Sequence, residues 1–375
     1  MQFPQKLTNK LLQRKDNQSL RELGESNNLI DFSSNDYLGF AKSDVIFEKT
    51  HQFLIENNLK NNGATGSRLL SGNHNLYAEV EKELSKVHAS EAVLVFNSGY
   101  DANIGFFSSI AQRGDIILYD ELIHASIRDG IQLSNAKSYK FKHNDLESLE
   151  EQIIKQTQKD NQDIYVVTES VFSMDGDSPD LIAMSTVCKA HNAFFIVDEA
   201  HAVGVFNSGL IEKHKLENDV FARIITFGKA LGCHGAAILG SNELKQYLVN
   251  FARSFVYTTG LSPHSLATVQ FAYKELANGK SREKLQENIQ FFKEEVNRLN
   301  LNFIESNSAI HCCVISGNEK VKKIAKKIQD RGFDVKPILS PTVIKGEERL
   351  RFCLHSYNST EEITNVLENL VTFVR

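Results

Sequence analysis

Several stretches of this chain are apolar without interruption, among them Ala92-Val93-Leu94-Val95-Phe96, Ile116-Ile117-Leu118-Tyr119, Ile164-Tyr165-Val166-Val167 and Ala193-Phe194-Phe195-Ile196-Val197. A strand with one wet face alternates apolar and polar residues, whereas an unbroken apolar run needs cover on both faces. Polar turns and helical stretches, such as Leu76 to Val87, separate these runs. That alternation predicts an α/β fold, a mostly parallel sheet with helices on either side. Ile224-Ile225-Thr226-Phe227 and Ala236-Ala237-Ile238-Leu239 read as two more strands, and Leu29 to Phe32 as a short one before the polar turn Ser33 to Asp36.

After Pro263 the texture changes to long helices over Ser262 to Leu299, a strand at Ile310 to Ile315 and a basic amphipathic helix at Glu319 to Asp330. A strand near Leu350 to Leu354 and a closing helix follow. This α+β pattern predicts a smaller C-terminal domain over 266–375, behind a large domain over 41–265 and an N-terminal arm over 1–40 with a helix at Gln5 to Glu22.

Composition excludes several classes. A chain of 375 residues with 41% hydrophobic and 24% charged residues can bury a large core without a staple. Its net charge of -5 gives no general reason to bind nucleic acid or an anionic membrane. Five cysteines, an odd number without CxxC spacing, argue for reduced thiols and against a disulfide framework or a zinc site. The stretch Met1 to Lys6 has no apolar signal region and no run reaches the length of a membrane span, so the expected location is the cytoplasm.

In open parallel sheets, ligands sit beyond the carboxyl ends of the strands. The residues that follow each strand here are Asn97-Ser98-Gly99-Tyr100, Asp120 with His124, Thr168 to Ser173, Asp198-Glu199-Ala200-His201, and Thr226-Phe227-Gly228-Lys229. The turn before Gly99 opens a helix, whose free N–H groups and dipole suit a phosphate. Taken singly, Asp198 is as well read as a helix cap, either histidine as structural and Lys229 as a solvated charge. Taken together, they put an anion cradle, an aspartate, two histidines, hydroxyls and a lysine on one edge.

The strings Gly63-Ala64-Thr65-Gly66-Ser67-Arg68 through Gly72-Asn73, Phe96 to Tyr100, Asp120 to Ser126, Ser173-Met174-Asp175-Gly176-Asp177, Asp198 to His201 and Thr226 to Gly232 keep one order along the chain. In that order they closely resemble the α-oxoamine synthase family, fold-type-I enzymes dependent on pyridoxal 5′-phosphate (PLP). These join an amino acid to an acyl thioester and lose carbon dioxide. The resemblance implies PLP held as a Schiff base on Lys229 and paired through its ring nitrogen with Asp198. It implies His201 and Ser173 on the ring oxygen, and His124 on the ring face. The backbone of Gly99 and Tyr100 and the Thr226 hydroxyl would hold the phosphate, joined by Thr259 from a second subunit of a homodimer with shared active sites. Lys229, Asp198, His201 and His124 are then the catalytic candidates. Arg351 would clamp the amino-acid carboxylate, with Arg21, Asn35 and Thr342 also in the substrate pocket.

Two departures stand out: Gly228 replaces a serine common in relatives, and part of a glycine series after His201 is missing. Within the family, the Asp31 to Gly39 opening, Val171 to Asp177 and Val256 to Thr259 most resemble members that form 8-amino-7-oxononanoate, a biotin precursor. Those use L-alanine and a pimeloyl thioester, carried by coenzyme A or a carrier protein. The glycine-using members that form 2-amino-3-ketobutyrate are the second reading. A helicase reading of Asp198 to His201 fails, because the chain's Gly279-Lys280-Ser281 follows that box and Lys274 stands where a phosphate loop needs its first glycine. A Rossmann dehydrogenase fails for want of a GxGxxG after the first strand. A non-catalytic relative would be marked by loss of the lysine, which is present.

Overall fold

The computed structural model describes residues 3–23, 28–157 and 162–374. Its strands are β1 (Ile30–Asp31), β2 (Ala92–Phe96), β3 (Ile116–Asp120), β4 (Lys137–Phe141), β5 (Ile164–Glu169) and β6 (Phe194–Asp198). They continue with β7 (Ala222–Thr226), β8 (Ala236–Gly240), β9 (Ile310–Val314), β10 (Phe333–Asp334), β11 (Lys336–Ile338) and β12 (Arg349–Cys353). Two compact units divide the chain: Asn35–Ser173 with Ser178–Glu283, and Met1–Ser34 with Met174–Asp177 and Lys284–Arg375.

The larger unit holds a seven-stranded sheet in the order β2-β8-β7-β6-β5-β3-β4. All neighbours are parallel except β8, which runs antiparallel to both β2 and β7. The unbroken apolar runs have their predicted cause. Ile117, Val167 and Ile196 pack into one buried cluster with Phe106, Phe107 and Ile127. Their strand neighbours Leu118, Val166 and Val197 pack into another with Leu149, Ile153 and Leu181. Successive side chains point to opposite faces, and helices cover both.

The helix Pro263–Leu276 belongs to this unit, so the division falls at 283/284 where the change of texture suggested 265. Its side chains reach the helices before β2: Phe271 meets Phe53 edge-on at 5.7 Å, and the Tyr273 hydroxyl lies 2.8 Å from His88 Nε2. Helical texture alone does not reveal which core a helix serves.

The smaller unit has an antiparallel sheet ordered β11-β12-β9 and a parallel pair of β1 with β10. That pair assigns the chain up to Ser34 to this unit rather than to a separate arm, and the N-terminal helix spans Gln5–Asp16. Phe292, Leu350, Phe352, Val321, Ile328 and Leu367 are fully buried in its core. Residues 174–177 are captured from the middle of the sequence. Hydroxyls of Ser306 and Ser308 donate to the Gly176 carbonyl at 2.7 and 2.9 Å. Gly176 has φ of 82°, and a Cβ there would lie 2.0 Å from the Ile310 oxygen, so only glycine fits.

Candidate active site

The C-terminal ends of β5, β6 and β7 and the first turn of the helix Gly99–Phe107 border a cavity of about 150 Å³. Asp198, the last residue of β6, is buried at 5% exposure. One carboxylate oxygen accepts from the Ala200 N–H at 2.9 Å and the other from Asn103 Nδ2 at 3.0 Å. Asn103 also donates to Ser126 Oγ at 2.9 Å, and Ser126 Oγ lies 2.7 Å from His124 Nδ1. The hydroxyl that accepts from Asn103 donates to Nδ1, which leaves the proton of a neutral His124 ring on Nε2. Burial pulls the His124 pKa below its ordinary value, an effect that nearby Lys229 reinforces and Asp198 opposes.

Glu169 ends β5 and pairs directly with Asp198 across the parallel ladder. It is buried, and Oε1 accepts from the His124 N–H at 2.5 Å. Burial first, and then the neighbouring Asp198 charge, push its carboxyl well above the usual range. The cavity therefore holds two carboxyl groups side by side, of which Asp198 has the donors that stabilise an anion.

Lys229 sits half-buried on the cavity wall, in the loop that reverses the chain from β7 into β8. The loop is closed by Phe227 N–H to the Gly235 carbonyl at 2.9 Å, Cys233 N–H to the Phe227 carbonyl at 2.7 Å and Gly232 N–H to the Lys229 carbonyl at 2.9 Å. Gly232 has φ of 61°, and a Cβ there would come within 2.1 Å of Ala41 N. The lysine is thus carried on a turn that cannot relax around a side chain at 232.

The hydroxyl of Thr226 donates to the Gly235 carbonyl at 3.2 Å and accepts from the Gly228 N–H at 3.3 Å. It faces the helix start, since a Cβ on Gly99 would lie 3.7 Å from Thr226 Oγ1. Ser98 caps that helix by accepting from the Asp101 N–H at 3.0 Å. The N–H groups of Gly99 and Tyr100 belong to the first turn and have no acceptor within the helix. They lie where an anion would be held.

The structure brings Gly99, Tyr100, His124, Asp198, His201, Thr226 and Lys229 to one cavity. Ser173, half-buried, and Thr259, exposed, are not on its wall. Thr259 is held by Asn97, whose Nδ2 donates to the Thr259 carbonyl at 2.6 Å and to Thr258 Oγ1 at 3.0 Å. Asn35 is half-buried and accepts from the Tyr37 hydroxyl at 3.0 Å. In the smaller unit Arg21 Nη2 and Thr342 Oγ1 come together at 3.5 Å, although far apart in sequence. Arg351 is buried on β12 and donates to the Cys353 thiol at 2.9 Å, while Arg349 is paired with Asp175.

Glu169, Asn103 and Ser126 are cavity residues that sequence reading did not single out for the site. Asn103 follows Gly99 by four residues, one turn along the same helix face, which is the signal that points to it. Glu199 plays a different part from its neighbour Asp198. Fully buried, it accepts from Arg223 Nε at 2.7 Å and from the Ile211 N–H at 3.0 Å. Arg223 also donates to the carbonyls of His88 at 3.0 Å and Ser208 at 2.8 Å.

These groups fit PLP by the chemistry of the donor set. The cavity pairs first-turn N–H groups, and a threonine hydroxyl once it turns from the Gly235 carbonyl, for a phosphate with a donor-stabilised aspartate for a cationic ring nitrogen and a lysine amine for an aldehyde. Fold and site define a PLP-dependent transferase of fold type I. The family model for aminotransferase class I and II matches residues 27–370, and the chain belongs to that family.

The chain is 37% identical, over 92% of its length and 89% of the relative's, to an 8-amino-7-oxononanoate synthase of Emericella nidulans. It is 36% identical to a putative 8-amino-7-oxononanoate synthase of Halalkalibacterium halodurans, covering 92% of this chain and 87% of that one. Among solved structures, serine palmitoyltransferase from S. paucimobilis with PLP and myriocin bound superimposes with a TM-score of 0.88 at 25% identity. That match covers 98% of this chain and 96% of the other. The 8-amino-7-oxononanoate synthase of Francisella tularensis gives 0.77 at 28% identity, covering 92% and 98%. The resemblance to the α-oxoamine synthases holds, and the chain is an acyl-transferring enzyme with PLP as its cofactor.

Proposed function

We propose that this enzyme joins L-alanine to a pimeloyl thioester with loss of carbon dioxide and release of the thiol, forming 8-amino-7-oxononanoate for biotin synthesis. Relatives bearing that name over most of the chain support the reading. The observation that carries its chemistry is the Lys229 amine in a cavity with buried Asp198, the Gly99–Tyr100 turn and the Thr226 hydroxyl. When bound, PLP supplies a protonated ring that draws electrons from the amino acid's Cα.

The chain's own groups do the rest. Asp198 keeps a negative charge at the ring nitrogen, held by Asn103 and the Ala200 N–H. His124, neutral, would stack on the ring, a contact of roughly 0.5–1.5 kcal/mol. His201 and Ser173 serve the ring oxygen. The Lys229 amine takes the proton from Cα and returns one after carbon dioxide leaves. Arg351 holds the amino-acid carboxylate through its planar fork, and Arg21, Asn35 and Thr342 are the further substrate-binding residues. The pimeloyl group arrives on coenzyme A or a carrier protein.

We further propose a homodimer in the cytoplasm in which Thr259 of each subunit completes the partner's phosphate site. The described residues include no helix long and apolar enough to cross a membrane, and all five cysteines are unpaired. Acyl transfer to glycine, or the reaction of another α-oxoamine synthase, is the second reading, and the serine palmitoyltransferase superposition favours L-serine among the latter.

Two experiments test these readings. Borohydride reduction followed by peptide mapping should place the cofactor on Lys229, and Lys229→Ala should abolish that adduct; an adduct on another lysine refutes the assignment. Product analysis over pimeloyl, acetyl and palmitoyl thioesters crossed with glycine, L-alanine and L-serine should show turnover chiefly for pimeloyl with L-alanine. Preference for another pair replaces the substrate assignment and leaves the enzyme class standing.

A further inference from the structure

The turn Asn35-Asp36-Tyr37 reaches this site through one of the residues on the cavity wall, His201. Tyr37 is fully buried. Its hydroxyl lies 2.7 Å from His201 Nδ1 and 3.0 Å from Asn35 Oδ1. His201 is itself buried at 4% exposure and forms part of the cavity wall. A tyrosine hydroxyl carries one proton, and an amide oxygen can only accept. The Tyr37 proton is therefore directed to Asn35, and the short contact to the imidazole is left for the Nδ1 proton of His201 to fill.

We propose that Tyr37 is a positioning residue that holds His201 as its Nδ1–H tautomer, so that His201 meets the contents of the cavity through Nε2. In the neutral ring Nε2 is then an acceptor. A cofactor oxygen bound there must carry the shared proton itself, or His201 must hold a second proton. The arrangement ties Asn35, a substrate-pocket candidate, to His201 through one buried hydroxyl.

The backbone around Tyr37 is built to keep that hydroxyl in place. Asp36 accepts from the Gly39 N–H through its carbonyl at 2.9 Å and from the Ala41 N–H through its side chain at 3.1 Å. The Lys229 turn then packs Gly232 against Ala41 too closely for any side chain. One rigid corner thus supports both the lysine and the tyrosine.

The test is nitrogen-resolved NMR of protein labelled at its histidines, with His201 assigned by loss of its signals in His201→Gln. Wild-type protein without cofactor should show a protonated Nδ1 and an unprotonated Nε2. Tyr37→Phe keeps the ring and removes the hydroxyl, so His201 should shift toward the Nε2–H form. Titrated with PLP, Tyr37→Phe should show a displaced visible absorption maximum and a Kd raised by about tenfold, the loss of one buried hydrogen bond. An Nε2–H tautomer in the wild-type protein overturns the proposal, and that measurement needs no variant to fold. So does a Tyr37→Phe protein with the wild-type tautomer and absorption maximum.

Discussion

Replacing Glu199 by glutamine tests how much the buried Glu199–Arg223 charge pair contributes to the stability of the larger unit. Glu199 and Arg223 are almost completely excluded from water, at 0% and 2% exposure. Removing one partner of such a pair leaves the other charge buried and uncompensated, at a cost of about 3–5 kcal/mol. Glutamine keeps one acceptor for Arg223, so the lower end, about 3 kcal/mol, is expected. For a unit of this size each kcal/mol lowers the melting temperature by about 2–4 °C, which gives a fall of about 6–12 °C. The assay is calorimetry at a fixed PLP concentration, because bound cofactor raises the apparent melting temperature. The control is Glu199→Gln with Arg223→Met, which removes both charges and should recover most of the loss. A single variant that melts within about 2 °C of wild type, or a double variant no better than the single, refutes the argument.

Glu169→Gln should keep kcat within about threefold, since the amide resembles the protonated acid that burial imposes, while Glu169→Leu should lower it by tenfold or more; steady-state kinetics with L-alanine decide. Gly228→Ser should tighten PLP binding by about tenfold. A Cβ there meets nothing closer than the Cys233 oxygen at 3.5 Å, so a hydroxyl can join Thr226 without strain; a titration showing weaker binding counts against this. His88 and His311 are fully buried and held neutral, with pKa values pushed down by burial to about 3. Below pH 6.5 the unfolded chain takes up protons that the folded chain refuses. Stability should therefore fall by about 1.4 kcal/mol per pH unit for each histidine as pH drops toward 3. Urea unfolding between pH 7 and 5 should show this slope, and His311→Asn should reduce it.

Most of the central sheet was legible because strands covered on both faces need apolar residues throughout. The strand β4 was not: Lys137-Ser138-Tyr139-Lys140-Phe141 lies at the sheet edge, largely exposed, and has no apolar run to mark it. The reversal of β8 was equally hidden, since apolar strands carry no mark of direction. Residues that end strands, such as Asp198, were found because topology gathers strand ends. Glu169 ends a strand too, yet its part depends on the neighbouring Asp198 and on the His124 N–H, which only the folded register supplies. Tyr37 was invisible for a similar reason: a tyrosine after a polar turn gives no sign of the histidine that its hydroxyl meets.

The capture of Met174–Asp177 and the pairing of β1 with β10 have a consequence for how the chain is made. Synthesis runs from the N-terminus, and Ile30 must wait for Phe333, roughly 300 residues later, before its strand has a partner. At about 5–20 residues per second that delay is roughly 15–60 s. During it the large unit can close on itself, because everything it needs lies between residues 35 and 283. The small unit cannot. Its first strand and the loop around Gly176 stay without their partners until the last quarter of the chain emerges. The nascent protein thus passes through a stage with one finished body and two exposed docking segments, the stage at which a ribosome-bound chaperone has most to protect.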